Sequence, residues 1–314
     1  MSQARHVIFG AGQVGSPLAR QLIEQGHDVR VAKRTPGGIP KGAEAVLGDA
    51  ADPAFCTAAA EGATTVYHCL NPPYSTKLWA EFVPRYMGNL IQASARAGAR
   101  LVVLENVYMF GRPNGKRLSA ETPMNPCSRK GEIRAKAARL LFDAHRRGDI
   151  RATAGHASDF YGPGGTLTVL GDYFWPRVLK GGSGQVISNP DAVHTYHYIP
   201  DVAAGLATLG GAPDDAFGRP WMLPCLPAGS LLDLVRRLEG PFGAPIPLSV
   251  LPVWMQSLLA VFMPPLREMP EMRYQWAEPF VIDDSQFRTR FGVQPELADR
   301  AATATVAWAR THYR

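Results

Sequence analysis

Cysteine is scarce in this chain. Four stand among 314 residues, at Cys56, Cys69, Cys127 and Cys225, far from one another. No CxxC pair and no Cys/His spacing is present, which argues against a disulfide framework, a metal site or a dithiol redox pair. No metal is expected. No secretory leader precedes the first apolar run, so the expected compartment is the reducing cytoplasm. Charge is sparse as well, at 19% of residues. The net charge is +6, and the basic residues are dispersed. The densest clusters are Arg129-Lys130 with Arg134 and Lys136, then Arg146-Arg147. They fall along one predicted helix without interleaved aromatics and read as a helix face plus a site, so no nucleic-acid partner is expected. Uninterrupted hydrophobic runs are missing too. The charge-free stretch from Ile246 to Leu266 is broken by Pro247, Pro252, Pro264 and Pro265 and contains Gln256 and Ser257. A spanning helix needs about 20 predominantly apolar residues. The unbroken part, Val253 to Met263, is too short, so it reads as a buried or lid-forming helix and no membrane contact is expected. Repeats at solenoid periods are absent.

What the chain does have begins at Arg5. The run RHVIFGAGQVGSPLARQLIEQGHDVRVAKR reads as strand, glycine turn, helix and strand. Val7 to Phe9 is apolar, and Gly10, Gly12 and Gly15 follow at once. Val14, Leu18, Leu22 and Ile23 share one face of the helix, Gly26 closes it, and Val29 to Ala32 forms the next strand. A GxGxxG turn in this setting binds a dinucleotide. Gly10 permits the tight turn, Gly12 lets backbone approach the pyrophosphate, and Gly15 lets helix and strand pack closely. Gln13 and Val14, between the glycines, belong to the same cradle, where the helix N-terminus offers N–H groups to an anion. At the end of the second strand an NAD site places an acid for the ribose hydroxyls. Here Lys33 and Arg34 stand there, and no acid follows before Glu44. Two cations suit a 2′-phosphate, so NADP(H) is expected over NAD(H).

Strands and helices alternate onward. Strands are expected near Glu44–Leu47, Thr65–Cys69, Leu101–Leu104 and Arg151–Ala154, with helices over Pro53–Ala60, Leu78–Ala97 and Lys130–Arg147. This predicts an α/β fold, a Rossmann-like doubly wound parallel sheet. Past Gly162 proline and glycine become dense. Val193 to Ile199 reads as a strand, Asp201 to Leu209 as a helix, and Pro220 to Pro224 as a possible last strand of the sheet. The expected division is a dinucleotide-binding domain over 1–165, with 193–224 returning to it. A smaller mixed substrate-binding domain is expected over 166–192 and 225–314.

The motifs then line up in order. The chain resembles the extended short-chain dehydrogenase/reductase family, also called the NAD-dependent epimerase/dehydratase family. The shared features are GAGQVG, the strand-end Asp49, LEN-VYMFG, the helix at Lys130–Arg147, ASDFYGPG, HTYHYIPDVA and DDSQFRTRFG. The resemblance implies that Asp49 contacts the adenine, against the alternative of a turn residue capping the next helix. It implies that Leu70, Asn71 and Pro72 lie near the pyrophosphate and the nicotinamide ribose. Tyr74, His156 and Tyr161 are candidates for substrate contact. A homodimer pairing the two long helices is expected.

The catalytic positions depart from the family pattern. The family has Ser or Thr four residues before an aromatic-Gly pair, and counting back from Phe110-Gly111 reaches Asn106. The family's Tyr and Lys, four apart at the start of the long helix, align with Lys130 and Arg134. Asn106 can donate a hydrogen bond to an oxyanion but gives up no proton. Arg134 stays charged and relays none, though it can bond the ribose hydroxyls. Lys130 is a candidate acid or anion anchor. Tyr108, two residues past Asn106 and on the same face of an extended strand, is a substitute donor. The main functional expectation is an NADP(H)-dependent oxidoreductase acting on a carbonyl or alcohol of a small or medium, possibly anionic substrate. The alternatives are an epimerase or dehydratase on a sugar-nucleotide-like substrate, and a sensor that binds NADP(H) without turnover.

Overall fold

The computed structural model describes residues 4–262 and 264–314. Met263, the end of the apolar run noted above, lies outside them. The chain divides into two compact units. The first comprises the chain through Gly111, then Met124–Ala157 and Val202–Leu223; the second comprises Arg112–Pro123, Ser158–Asp201 and Pro224–Arg314. The boundary expected at 165 thus falls at Ala157. The cause is local: the strand after it, Asp159–Tyr161, pairs with Tyr196–Tyr198 and not with the large sheet. For the same reason the returning segment begins at Val202 and not at 193.

The first unit holds the sheet. Its strands are β1 (Arg5–Phe9), β2 (Asp28–Lys33), β3 (Glu44–Leu47), β4 (Thr65–His68), β5 (Arg100–Glu105) and β6 (Arg151–His156). A seventh, Pro220–Met222, pairs with β6. The order across the sheet is Pro220–Met222, β6, β5, β4, β1, β2, β3, every pair parallel. Strand order reverses between β1 and β4, the position where such sheets take ligands beyond their carboxyl ends. The central strands are buried on both faces, which is why VIF, TVYH and LVV read as unbroken runs without alternation.

Between β1 and β6 the crossing helices are α1 (Gly15–Glu24), α2 (Pro53–Ala59), α3 (Thr76–Ala97) and α4 (Arg129–Arg146). Asp52 caps α2 by accepting from Ala54 N at 2.8 Å. Ser128 caps α4 by accepting from Gly131 N at 3.1 Å, an arrangement worth about 1 kcal/mol. Gly98 ends α3 in the left-handed conformation, φ 63°.

In the second unit, Gly184–Val186 pairs in parallel with Leu248–Val250. Phe174, Trp175, Leu231, Val235, Leu238, Val306 and Ala309 form its core. Of the strand expected over Val193–Ile199, residues Tyr196–Tyr198 are extended in the short two-stranded pair. The helix expected next runs Ile199–Gly210, and from Val202 onward it belongs to the first unit.

Of the two readings of the charge-free stretch, a buried or a lid-forming helix, the buried one does not hold. The helix Val253–Leu259 is not buried: Trp254 is 66% exposed, Leu258 60%, and Phe262 beyond it 79%. Its buried residue is the polar one. Gln256 donates to Ile187 O at 3.0 Å and Leu251 O at 2.7 Å, so the helix is anchored through its amide. Two backbone acceptors fix its orientation more firmly than the nonspecific preference of its apolar side chains. Among the described residues no helix is long and apolar enough to cross a membrane.

Candidate functional site

The glycine turn closes β1 onto α1. Gly10 has φ +98°, and a Cβ on it would stand 2.8 Å from the Cys69 carbonyl oxygen. A Cβ on Gly15 would stand 1.8 Å from the Gly10 carbonyl oxygen. These two glycines are demanded by the protein's own backbone. Gly12 is different: a Cβ there meets nothing within 4 Å. Its bareness matters only to something that approaches from outside, which is what a pyrophosphate on the helix N-terminus does. Val14 at the N-cap contributes no capping side chain, so the helix end is left to an anion. Buried Val14 and partly exposed Gln13 line the same turn. The residues present fit a dinucleotide.

At the end of β2, Lys33 Nζ donates to the Gly37 carbonyl at 2.5 Å, and Arg34 is exposed. Asp49 follows β3. Its Oδ1 accepts from Ala51 N at 2.9 Å, so one carboxylate oxygen closes a turn just ahead of α2, whose N-cap is Asp52. Past β4, Leu70 N donates to His68 Nδ1 at 3.2 Å; Leu70 is half-buried, Asn71 exposed and Pro72 buried.

The ends of β4 and β5 and the first turns of α3 and α4 gather the remaining candidates. Lys130 is fully buried. Its Nζ donates to Thr76 Oγ1 at 3.0 Å and lies 4.7 Å from the centre of the Tyr74 ring. One turn along, Arg134 reaches three elements. Its NH1 donates to Glu105 Oε2 at 3.2 Å, its NH2 donates to Asn71 Oδ1 at 2.6 Å, and its guanidinium lies 4.5 Å over the Trp79 ring. Tyr74 meets Trp79 edge-on, and Tyr108 stacks on Trp79 at 6.0 Å. Gly131 permits this assembly, because a Cβ on it would stand 2.6 Å from the Tyr108 carbonyl oxygen.

Tyr108 does not stand on an extended strand with Asn106. β5 ends at Glu105, and Tyr108 opens a 3-10 turn, Tyr108–Phe110. The cause is Asn106 itself, whose Oδ1 accepts from Tyr108 N at 3.1 Å and turns the chain out of the ladder. The alternation argument that put both side chains on one face therefore does not apply.

His156 and His68, both buried, are neutral at pH 7. His156 Nδ1 lies 2.8 Å from the Asn106 carbonyl, which only accepts, so Nδ1 carries the proton. Burial lowers His156 to about 4, and the Arg134 charge adds to that against the Asn106 hydrogen bond. Burial also lowers His68 to about 3, again helped by Arg134. Burial pushes the Cys69 thiol up to about 12. None of the three is a proton donor of the right strength at neutral pH. Burial raises Glu105, and Arg134 opposes the rise.

The NAD dependent epimerase/dehydratase family is matched over residues 7–219. The chain belongs to that family. No curated protein matches it in sequence. Solved structures of similar fold include UDP-glucuronic acid 4-epimerase from Bacillus cereus in complex with NAD, at 15% identity and TM-score 0.78, covering 99% of this chain and 100% of that one. The Bordetella bronchiseptica enzyme WbmG in complex with NAD is 20% identical with TM-score 0.75, covering 99% and 96%. The dTDP-glucose 4,6-dehydratase DesIV from Streptomyces venezuelae is 16% identical with TM-score 0.76, covering 98% and 97%. At these identities the likeness is one of fold, and it extends over the whole of this family member.

Within the first unit, Asn71, Tyr74, Tyr108, Lys130 and Arg134 thus come together, while Asn106 holds Tyr108 and His156 through its side chain and its carbonyl. Tyr161 belongs to the second unit. It is buried against Tyr198 and lines a small pocket with His194, Tyr196, Ser230 and Arg237. The sequence reading passed over Glu105, Thr76 and Trp79. Glu105 had a signal, being a carboxylate that ends an otherwise apolar buried strand. Thr76 and Trp79 had a weaker one, their three-residue spacing at the start of the helix after LNPPYS.

Proposed function

We propose that this protein is an NAD(P)-dependent enzyme that works at an alcohol or carbonyl carbon of a nucleotide-sugar-like substrate, epimerase or dehydratase in kind, with Lys130 handling the substrate proton. The observation that carries the reading is the fully buried Lys130 amine in the first turn of α4, between Thr76 and the Tyr74 ring. By alignment with the family pattern this is the place of the tyrosine phenol. A bound nicotinamide supplies hydride transfer. Lys130 then gives a proton to the oxygen as a carbonyl becomes an alcohol, or takes it as an alcohol becomes a carbonyl. Asn106 is suited to polarise that oxygen through its amide N–H, since its Oδ1 is occupied by Tyr108 N. The nucleotide-sugar class is supported by the substrates in the names of the similar structures.

A second reading is an NADP(H)-dependent oxidoreductase with net cofactor turnover. Lys33 and Arg34 at the end of β2 favour it, because they suit a 2′-phosphate. One experiment covers both. The purified protein is titrated with all four nicotinamide dinucleotides by calorimetry, then offered a panel of nucleotide sugars. Product formed without net change at 340 nm supports the first reading, and stoichiometric cofactor consumption the second. Binding with no product from any substrate leaves a sensor, and no dinucleotide binding by folded protein removes all three.

A further inference from the structure

We propose that Lys33 is a positioning residue for the dinucleotide: with Ser16 it holds the loop 35–42 against α1, so that it sets affinity for either nicotinamide dinucleotide, while Arg34 sets the choice between them. The proposal deepens the dinucleotide reading given above and rests on it.

The two cations at the end of β2 are differently placed. Lys33 is half-buried, and its amine donates to the Gly37 carbonyl at 2.5 Å. Its own carbonyl accepts from Gly48 N at 3.0 Å, just past the end of β3, so its backbone is fixed by the sheet. The Lys33 side chain therefore ties the loop to a rigid strand end. Arg34 is exposed and forms no ion pair among the described residues. Its charge is felt at Tyr86: burial raises that phenol, Asp49 adds to the rise, and Arg34 opposes it. Arg34 thus lies on the side of Asp49, the residue that the family pattern sets at the adenine.

The loop between them and β3 needs holding. Gly37, Gly38 and Gly42 all have positive φ, at 95°, 66° and 96°. Glycine loses more conformational freedom on ordering than any other residue. A ligand that had to order this loop itself would bind more weakly by that cost. The protein orders it beforehand at three points. Lys33 takes the Gly37 carbonyl. Ser16, in the first turn of α1, donates to the Ala11 carbonyl at 2.9 Å, with the Gly38 carbonyl at 3.4 Å from the same hydroxyl. Near the other end of α1, a Cβ on Gly42 would stand 3.2 Å from Ile23 Cγ2. The loop therefore runs along α1, the helix that the glycine turn opens, and its place beside that turn is set before any ligand arrives.

The test is calorimetry of NADPH and NADH on Lys33→Met, paired with limited digestion of the cofactor-free protein by a lysine-specific protease, read by mass spectrometry at exposed Lys41. Methionine keeps most of the side chain and removes the donor. Both affinities should fall about three- to tenfold, the loss of one hydrogen bond that orders the loop, with their ratio within about twofold of the parent. Nicking after Lys41 should quicken at least about threefold, because a released loop opens more often. Arg34→Ala should do the reverse, moving the ratio and leaving the nicking rate alone. A loss confined to NADPH would make Lys33 a phosphate ligand and overturns the proposal. Unchanged affinity for both dinucleotides overturns it too, as does nicking at the parental rate in folded Lys33→Met. Should that variant not fold, Ser16→Ala replaces it, with the same signs expected and the same results overturning. Parent protein that takes up neither dinucleotide sinks the cofactor reading itself. The nicking rates then decide the loop anchor by themselves, faster nicking upholding it and the parental rate overturning it.

Discussion

Gly15 lies so near Gly10 that a Cβ on it would stand 1.8 Å from the Gly10 carbonyl oxygen, whereas one on Gly12 would touch nothing. The two glycines of one motif thus serve different ends, and substitution should separate them. Gly15→Ala should cost roughly 3 kcal/mol of stability by forcing α1 away from β1. Gly12→Ala should melt within a few degrees of the parent yet bind dinucleotide at least tenfold more weakly. Thermal melts and calorimetry on both variants check this. Unchanged dinucleotide affinity in Gly12→Ala would mean that the ligand does not pass over this turn.

Lys130→Met keeps the bulk of the side chain and removes its nitrogen. A positioned proton donor is worth about 10²- to 10⁴-fold, so kcat should fall by at least 10² with dinucleotide affinity retained. Tyr108→Phe should lose far less, since the Tyr108 ring serves as a stacking partner of Trp79. The reverse order of damage would transfer the proton to Tyr108.

Arg34→Ala should remove any preference for NADPH over NADH. A charge-assisted bond to a 2′-phosphate is worth about 1.5–3 kcal/mol, so NADPH affinity should drop about tenfold or more while NADH affinity holds. Competition binding at fixed salt is the measurement. Equal losses for both cofactors would place Arg34 away from the 2′-position.

The neutral histidines make a pH prediction with a definite sign. His156 and His68 have folded values lowered to about 4 and about 3, and His6 to about 4, all led by burial. The unfolded chain binds protons near pH 6.5, so between that pH and about 4 it takes up more than the folded chain. The stability these groups contribute is full above about pH 7 and is lost on acidification, at up to about 1.4 kcal/mol per pH unit for each. Asp201 in the second unit works the other way. Burial raises it to about 7, so the folded state holds a proton that the unfolded state has released, and its contribution fades as pH rises toward 7. Urea melts of His156→Gln against the parent from pH 7.5 to 5 isolate one histidine, because Gln can still donate to the Asn106 carbonyl. The variant should lose less stability across that range, and parallel curves would show that His156 titrates normally in the fold.

Much of this protein was determined by its sequence alone. The glycine turn, the alternation of strands and helices and the two long helices are local matters, governed by backbone freedom at Gly10 and by the spacing of apolar residues. The helix start, one residue before the family-aligned position of Lys130, was legible for the same reason. The tertiary structure decided the rest. Thr76 and Lys130 are 54 residues apart, Asn71 and Arg134 63, and Glu105 and Arg134 29, and no spacing rule links such pairs. Gln256 turned an apolar helix outward because its amide found two carbonyls that only the folded chain supplies. Asn106 and Tyr108 parted company because a single side-chain oxygen captured a backbone N–H. Periodicity records which face of an element is apolar; which groups a charged or amide side chain meets on that face depends on segments brought there from elsewhere in the chain.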